Sequence, residues 1–406
     1  TYFRRGFGLK KEIEPLLAAE YHSALVEELR AQGNVRTFGD LTIRLANAFG
    51  FCYGVDRAVD YAYQTTVKFP GRRIFLVGEI IHNPHVNQRL KDAGITFLYP
   101  GAKGSFDFSM LQPEDVVILP AFGVTMDDLE HLKRIGCVLV DTTCGSVLNV
   151  WKRVESYARD RFTAVIHGKY FHEETRATAS QVNTDGGGTY LVVRDMAEAR
   201  LVCDYIEQNE RALSRAAFRA HFEAKSSAGF DPDLDLTRVG VANQTTMLAS
   251  ESLAIAAEIG KSMALRYGPE SLADHFRSFD TICSATQERQ DAVLELMQDP
   301  PDIMIVIGGY NSSNTNHLAH LCREYTTTYH IADATCIDPA QGTIRHKAEL
   351  AADAPEVSTG DWLSPGPISL GLTAGASTPN NKIGETIERI LQTRQLALAA
   401  VSGQDS

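Results

Sequence analysis

The chain reads as an α/β protein of three similar lobes with mostly parallel sheets, and three observations carry that reading. Short apolar strands alternate with amphipathic helices along most of its 406 residues. That length exceeds one ordinary domain, so two or three lobes are expected. Three stretches, GFCYGVDRAVDYA, DTTCGSVLNVWKRV and TICSATQERQDAVLEL, share one design. In each, a small or polar turn delivers one cysteine (Cys52, Cys144 or Cys283) at the start of an amphipathic helix.

In chain order, residues 1–40 read as a polar helical extension packed on the outside, through KKEIEPLLAAEYHSALVEELRAQ. The first lobe spans 41–140 and carries Cys52, with strands RRIFLVGEI, DVVILPAF and CVLVD. The second spans 141–279 and carries Cys144, with strands FTAVIHG, YLVV and LTRVGVA. Within it, residues 183–235 break the strand–helix rhythm with GGG, a long helical stretch and SSAGFDPDLD, and are expected to be an insertion. The third spans 280–370 and carries Cys283, with strands DIMIVIGG and PISLGLT. A segment 371–406 closes the active site and ends in a frayed polar tail, VSGQDS.

A hydrophobic content of 44% and a charged content of 22% are those of a soluble globular chain. No apolar run is long enough to span a bilayer, and the N-terminal TYFRRGFGLKKEIEPLL lacks the apolar core of a signal peptide. A net charge of −12 argues against nucleic acid as the main partner. Neither a membrane nor a nucleic acid is therefore expected.

Seven scattered cysteines do not make a secreted disulfide framework, so a reducing compartment is expected. Cys137, Cys203 and Cys322 sit in apolar stretches and read as small core residues. Cys336, in ADATCIDPA, echoes DTTC but lacks the long helix after it, so it is left out of the candidate set. The remaining three lie far apart in sequence, which excludes a compact zinc finger. A helix N-terminus stabilises a thiolate through its unpaired N–H groups and its dipole. Three such thiolates without a fourth point to an iron–sulfur cluster with one iron left open, as a catalytic site requires.

Around them stand turns rich in hydroxyls, amides and imidazoles. IIHNPHVN offers His82 and His85, and HGKYFHEET offers His167, His172, Glu173 and Glu174. NQTTM offers Gln244, Thr245 and Thr246; GGYNSSNTNH offers Ser312, Ser313 and Asn314; TAGASTPNN offers Ser377 and Asn380. One such turn is most often only a helix cap. Five beside three helix-start cysteines are equipment for a phosphate or diphosphate. No GxxxxGK[ST] sequence is present, so this is no nucleotide P-loop. Glu174 alone would read as solvated helix-start charge; beside His172 and a cluster it reads as a proton donor.

In family order, GFCYGVDRAV, EIIHNPHVN, DTTC, HEET, NQTT, TIC with AT.ERQ.A, NSSNTN and TAGAS resemble the 4-hydroxy-3-methylbut-2-enyl diphosphate reductase (IspH/LytB) family, from about Thr42 to Ile390. The resemblance implies three lobes arranged pseudo-threefold around a central [4Fe–4S] cluster held by Cys52, Cys144 and Cys283. It implies an open iron that takes the substrate hydroxyl, and loss of that hydroxyl as water with two electrons and protons. Isopentenyl and dimethylallyl diphosphate are the products, in the last step of the methylerythritol phosphate route. By position Glu174 matches the proton-supplying glutamate and Thr245 its partner in the hydroxyl network. His172, a third catalytic candidate, joins His82, Ser312, Ser313, Asn314 and Ser377 in the implied diphosphate pocket. The implied electron donor is a ferredoxin or a flavodoxin, and the implied location is bacterial cytoplasm or plastid stroma.

One departure stands out. Many bacterial members carry AHG where this chain has Ala121, Phe122 and Gly123. LPAFG, the long N-terminal helix and the 183–235 stretch resemble the plant and cyanobacterial branch, and another cation-like donor such as His85 or Lys169 is expected to replace the missing histidine. The competing readings are an iron–sulfur redox sensor or electron carrier, another three-cysteine [4Fe–4S] dehydratase, and a three-cysteine zinc hydrolase. The first predicts a cluster without tight diphosphate binding, and the last a colourless protein.

Overall fold

The computed structural model describes residues 1–101, 104–183, 187–349 and 354–396. The chain forms two compact units, one of Thr1–Gly6, Thr65–Ile80 and Lys91–Cys283, the other of Phe7–Gln64, Ile81–Leu90 and Ser284–Ser406. The polar tail at the end of the second lies outside the described residues.

The first unit holds two parallel sheets. One runs Tyr2–Phe3, Val138–Asp141, Val116–Leu119, Ile74–Val77 and Ile95–Leu98. The other runs Phe276–Ser278, Val239–Asn243, Thr163–His167 and Tyr190–Val193. Their central strands, such as VVIL and TAVIH, are buried along their whole length, because helices cover both faces of a parallel sheet. Every strand expected from 72 to 242 is found. The short edge strands Tyr2–Phe3 and Phe276–Ser278 and the strand Ile95–Leu98 go beyond the expectation.

Among the described residues the second unit is built on one mixed sheet of eight strands. Its centre is parallel, in the order Thr327–Ile331, Ile303–Ile307, Ile368–Ala374 and Leu41–Leu45. Antiparallel strands close its edges: Val35–Phe38 beside Leu41–Leu45, and Thr343–Lys347 between Thr327–Ile331 and Glu356–Gly360. Leu41–Leu45, placed by the sequence at the head of the first lobe, thus belongs to the same sheet as DIMIVIGG and PISLGLT.

Two stretches are more integrated than their sequence indicates. Residues 1–40 form the helices Lys10–Tyr21 and Ala24–Ala31, with Val26 and Leu29 fully buried in the second unit's core. At the other end of that stretch, Tyr2 and Phe3 pair in register with Leu139 and Val140. Residues 183–235 supply Tyr190–Val193 to a sheet, and their helices Met196–Glu207 and Arg215–Phe222 bury Val202, Ile206, Phe218 and Phe222 against it. The polar surface of those helices hid a full apolar stripe.

Candidate active site

The seven cysteines fall into two groups, and none is in a disulfide. Cys137, Cys203, Cys322 and Cys336 are buried. Burial pushes the Cys203 thiol up to about 11 and the Cys322 thiol up to about 12, so both stay protonated and inert. Cys336 packs in the second unit's core, with its sulfur 3.9 Å from the Tyr310 hydroxyl. Cys52, Cys144 and Cys283 are half-exposed.

Each of these three stands immediately before a helix: Tyr53–Lys68, Gly145–Arg159 and Ser284–Leu296. Each is also anchored in the same way. The N–H of Cys52 donates to the Ala376 carbonyl at 3.2 Å, that of Cys144 to Ala121 at 3.0 Å, and that of Cys283 to Thr245 at 3.2 Å. Every acceptor lies just beyond the carboxyl end of a strand, so sheet and cysteine loop are tied by one main-chain bond. The Val55 N–H points at the Cys52 sulfur at 3.4 Å, the donation a helix start gives a thiolate. Cys144 occupies the N-cap position with its own side chain making no capping bond, which leaves the sulfur for a ligand role.

Gly50, in the turn before Cys52, requires glycine: its φ is +75°, and a Cβ would lie 2.8 Å from Asn380 Oδ1. Its carbonyl accepts from both Nε and Nη2 of Arg289, at 3.2 and 2.6 Å. The buried Arg289 lies on the helix that starts with Ser284 and braces the Cys52 turn. Within ERQ, Arg289 carries no sequence signal of this role.

In the first unit, Glu174 is 1% exposed, in the first turn of the helix Glu173–Ser180. Its Oε1 accepts the Thr245 N–H at 2.5 Å, and the Thr245 carbonyl in turn accepts the Cys283 N–H. The acid, the threonine and one cysteine loop are therefore joined through a single residue. Gln244 holds the neighbouring turn: its Oε1 accepts from Thr175 Oγ1 and the Lys169 N–H, and its Nε2 donates to Thr246.

His172 caps the same helix, its Nδ1 accepting the Glu174 N–H at 3.1 Å. An accepting Nδ1 puts the ring proton on Nε2. Phe122 packs edge-to-face on that ring, 5.6 Å between centroids at 83°. That contact restricts the orientation of the His172 ring. His85 Nε2 is buried without a hydrogen-bond partner among the described residues. It lies edge-on to Tyr21, and burial, reinforced by Lys382 and Arg89, pushes its pKa below the ordinary value. His167 is fully buried against Ser252 and is structural.

The second unit gathers three polar turns around Ala376. Asn314 Oδ1 accepts the Ala376 N–H at 2.9 Å, while the Ala376 carbonyl receives Cys52. Asn314 is 2% exposed, and its Nδ2 has no hydrogen-bond partner among the described residues, an orphan donor that asks for a ligand. Ser312 Oγ caps the helix Ser313–Arg323 by accepting the Thr315 N–H, and its proton remains available to donate. Ser313 is buried at the same helix start. Ser377 Oγ donates to the His82 carbonyl at 3.3 Å. Asn83 Nδ2 donates to the Ser377 carbonyl at 2.8 Å, while its Oδ1 caps the next helix at Val86. Asn83 and Arg289 are the positioning residues that sequence reading missed.

The described residues form an α/β protein with half-exposed thiols at three helix starts, a buried acid and turns lined with donors. The chain belongs to the LytB protein family, whose family model matches residues 43–391. A relative from Thermosynechococcus vestitus, described as 4-hydroxy-3-methylbut-2-enyl diphosphate reductase, is 49% identical over 98% of this chain and 96% of its own length. One from Gloeobacter violaceus with the same description is 48% identical over 99% and 95%. A solved structure described as (E)-4-hydroxy-3-methyl-but-2-enyl diphosphate reductase, the terminal enzyme of the non-mevalonate pathway, matches with TM-score 0.52 at 27% identity, covering 86% of this chain and 99% of that one. The corresponding Plasmodium falciparum reductase matches at TM-score 0.61 and 18% identity over 86% and 87%, which shows the shared fold.

Proposed function

We propose that this chain reductively dehydroxylates 4-hydroxy-3-methylbut-2-enyl diphosphate to isopentenyl and dimethylallyl diphosphate. The C–O bond of the allylic alcohol breaks, two electrons and two protons enter, and water leaves. The observation that carries the reading is the Glu174–Thr245–Cys283 connection, which fixes a buried acid to a cysteine loop. Near-full-length relatives bearing the reductase description support it.

Cys52, Cys144 and Cys283 would hold a [4Fe–4S] cluster, and the donor set fits: three half-exposed thiols, each anchored at a helix start. When bound, the cluster supplies electrons and an open iron that acts as a Lewis acid on a poor leaving group. The remaining work falls to the chain's own residues. Glu174 holds a proton at its carboxyl for delivery to the hydroxyl or the allylic carbon. Thr245, fixed through its main chain, orients that hydroxyl with its Oγ1. His172 Nε2, His82, Ser312, Ser313, Ser377 and the orphan Asn314 Nδ2 bind the diphosphate. Binding of that remote anion positions the reacting carbon. Electrons come from a ferredoxin- or flavodoxin-type carrier. A chain without a membrane-crossing helix among its described residues, with cyanobacterial relatives, fits a cytoplasmic or plastid setting.

The test is anaerobic turnover of the cluster-reconstituted protein with the hydroxylated C5 diphosphate and a low-potential reductant. Formation of the two isomeric diphosphates is expected. An intact cluster spectrum without turnover would move the assignment to a redox sensor or a different dehydratase.

A further inference from the structure

A chain of net charge −12 carries one arginine-rich face in its first unit. Arg153, on the helix Gly145–Arg159, sits with its guanidinium 4.0 Å over the ring of Phe279. Phe279 is 42% exposed and stacks on Tyr157 at 6.3 Å. Arg277 and Arg238 each lie 4.3 Å from the Phe162 ring centroid. Asp160 pairs with Arg277 and lies 3.8 Å from Arg159. Arg238 donates to the Asp274 carbonyl rather than to a carboxylate. Asp160 thus faces Arg277 and Arg159, while Arg153 and Arg238 rest on aromatic rings. Glu155 lies one turn before Arg159 on the same helix face, Asp280 is the acidic residue beside Phe279, and Asp274 is the one beside Arg238.

Holding like charges together costs energy, and an arginine covering a ring needs no second arginine there. The arrangement has value if the excess positive charge meets an acidic partner. Its position matters too. Phe279 is four residues from Cys283, a main-chain path of at most about 14 Å. That path is fixed, because Thr281 Oγ1 bonds Asn243 and the Cys283 N–H bonds Thr245. Arg153 belongs to the helix that Cys144 begins.

We propose that Arg153, Arg159, Arg238, Arg277 and the exposed Phe279 form the docking surface for a small acidic one-electron carrier protein, which delivers electrons beside the Cys283 loop. The proposal rests on the reductase reading above. The carrier's carboxylates meet the guanidiniums and steer the encounter, while Phe279 gives the contact an apolar centre.

The test compares wild type, Arg153→Glu/Arg159→Glu and Phe279→Ala as reconstituted holoenzymes. The electron sources are a reduced plant-type [2Fe–2S] ferredoxin and dithionite-reduced methyl viologen, a dication that needs no basic face. For the double arginine variant the ferredoxin KM should rise about tenfold at low ionic strength, with the difference shrinking as salt is added. The viologen-driven rate should stay at the wild-type value. Calorimetric titration with oxidised ferredoxin should show the same weakening, and Phe279→Ala should weaken binding without changing its salt dependence. Equal ferredoxin KM and affinity in all three proteins would overturn the docking surface while leaving the reductase reading intact. A wild type inactive with both electron sources would overturn both.

Discussion

The N–H of Thr245 donates to Glu174 Oε1 at 2.5 Å, and through the Thr245 carbonyl that contact reaches the N–H of Cys283. Two substitutions separate the chemical role of Glu174 from its structural one. Glu174→Gln keeps an oxygen that accepts the Thr245 N–H and loses the acidic proton. It should retain cluster content and substrate affinity while kcat falls at least a hundredfold, the scale of a lost general acid. Glu174→Ala also orphans a buried N–H, at a cost of about 1–3 kcal/mol. It should therefore lose iron faster than Glu174→Gln on dilution into chelator. Equal iron retention in the two variants would break the proposed link from Glu174 to the cysteine loop.

The cysteines divide by exposure and by main-chain anchoring. Replacing Cys52, Cys144 or Cys283 with Ser should each cost acid-labile sulfide and the visible absorption of the cluster. Cys336→Ser should keep both, since Cys336 is 4% exposed within the second unit's core. Loss of the cluster in Cys336→Ser would change the ligand set.

Asn83 ties the His82 turn to the Ser377 turn through one side-chain amide. Serine at this position still caps the helix at Val86, as Ser does well at an N-cap, but is too short to reach the Ser377 carbonyl. Asn83→Ser should raise the substrate KM and the inhibition constant of inorganic diphosphate about five- to tenfold, the worth of roughly 1 kcal/mol of positioning. The turnover number should hardly move. An unchanged KM would mean that the Ser377 turn holds its shape without Asn83.

What the sequence disclosed and what it hid differ by the range of the interactions involved. The three cysteines, HEET and NSSNTN were readable because helix start and functional group lie within a few residues. Asn83 and Arg289 were not, since their partners lie 294 and 239 residues away. Strand periodicity found the buried central strands but not Tyr2–Phe3, whose two residues are too few to show alternation. The largely exposed Glu356–Gly360 carries no apolar face to signal a strand. The Asn83–Ser377 contact also could not be inferred from the caps, because Ser312 and Asn83 cap helices in the ordinary way while serving the turns.

Two buried histidines set a limit on acid stability. His167 and His330 are fully buried, and burial lowers each from the ordinary value of 6.5 to about 4. His330 Nε2 lies 3.1 Å from the Gly308 carbonyl, while its Nδ1 has no partner among the described residues. A charged ring would leave that second N–H unsatisfied. In the unfolded chain both histidines take up protons near pH 6.5, whereas the folded chain resists until about pH 4. Their contribution to stability is complete above pH 6.5 and declines as the pH falls toward 4, by up to about 1.4 kcal/mol per pH unit for each ring. The urea midpoint should therefore drop steadily between those limits, and His330→Gln should flatten the slope by close to one proton while lowering stability at neutral pH. A midpoint that is level down to pH 4.5 would show that these rings do not govern acid unfolding.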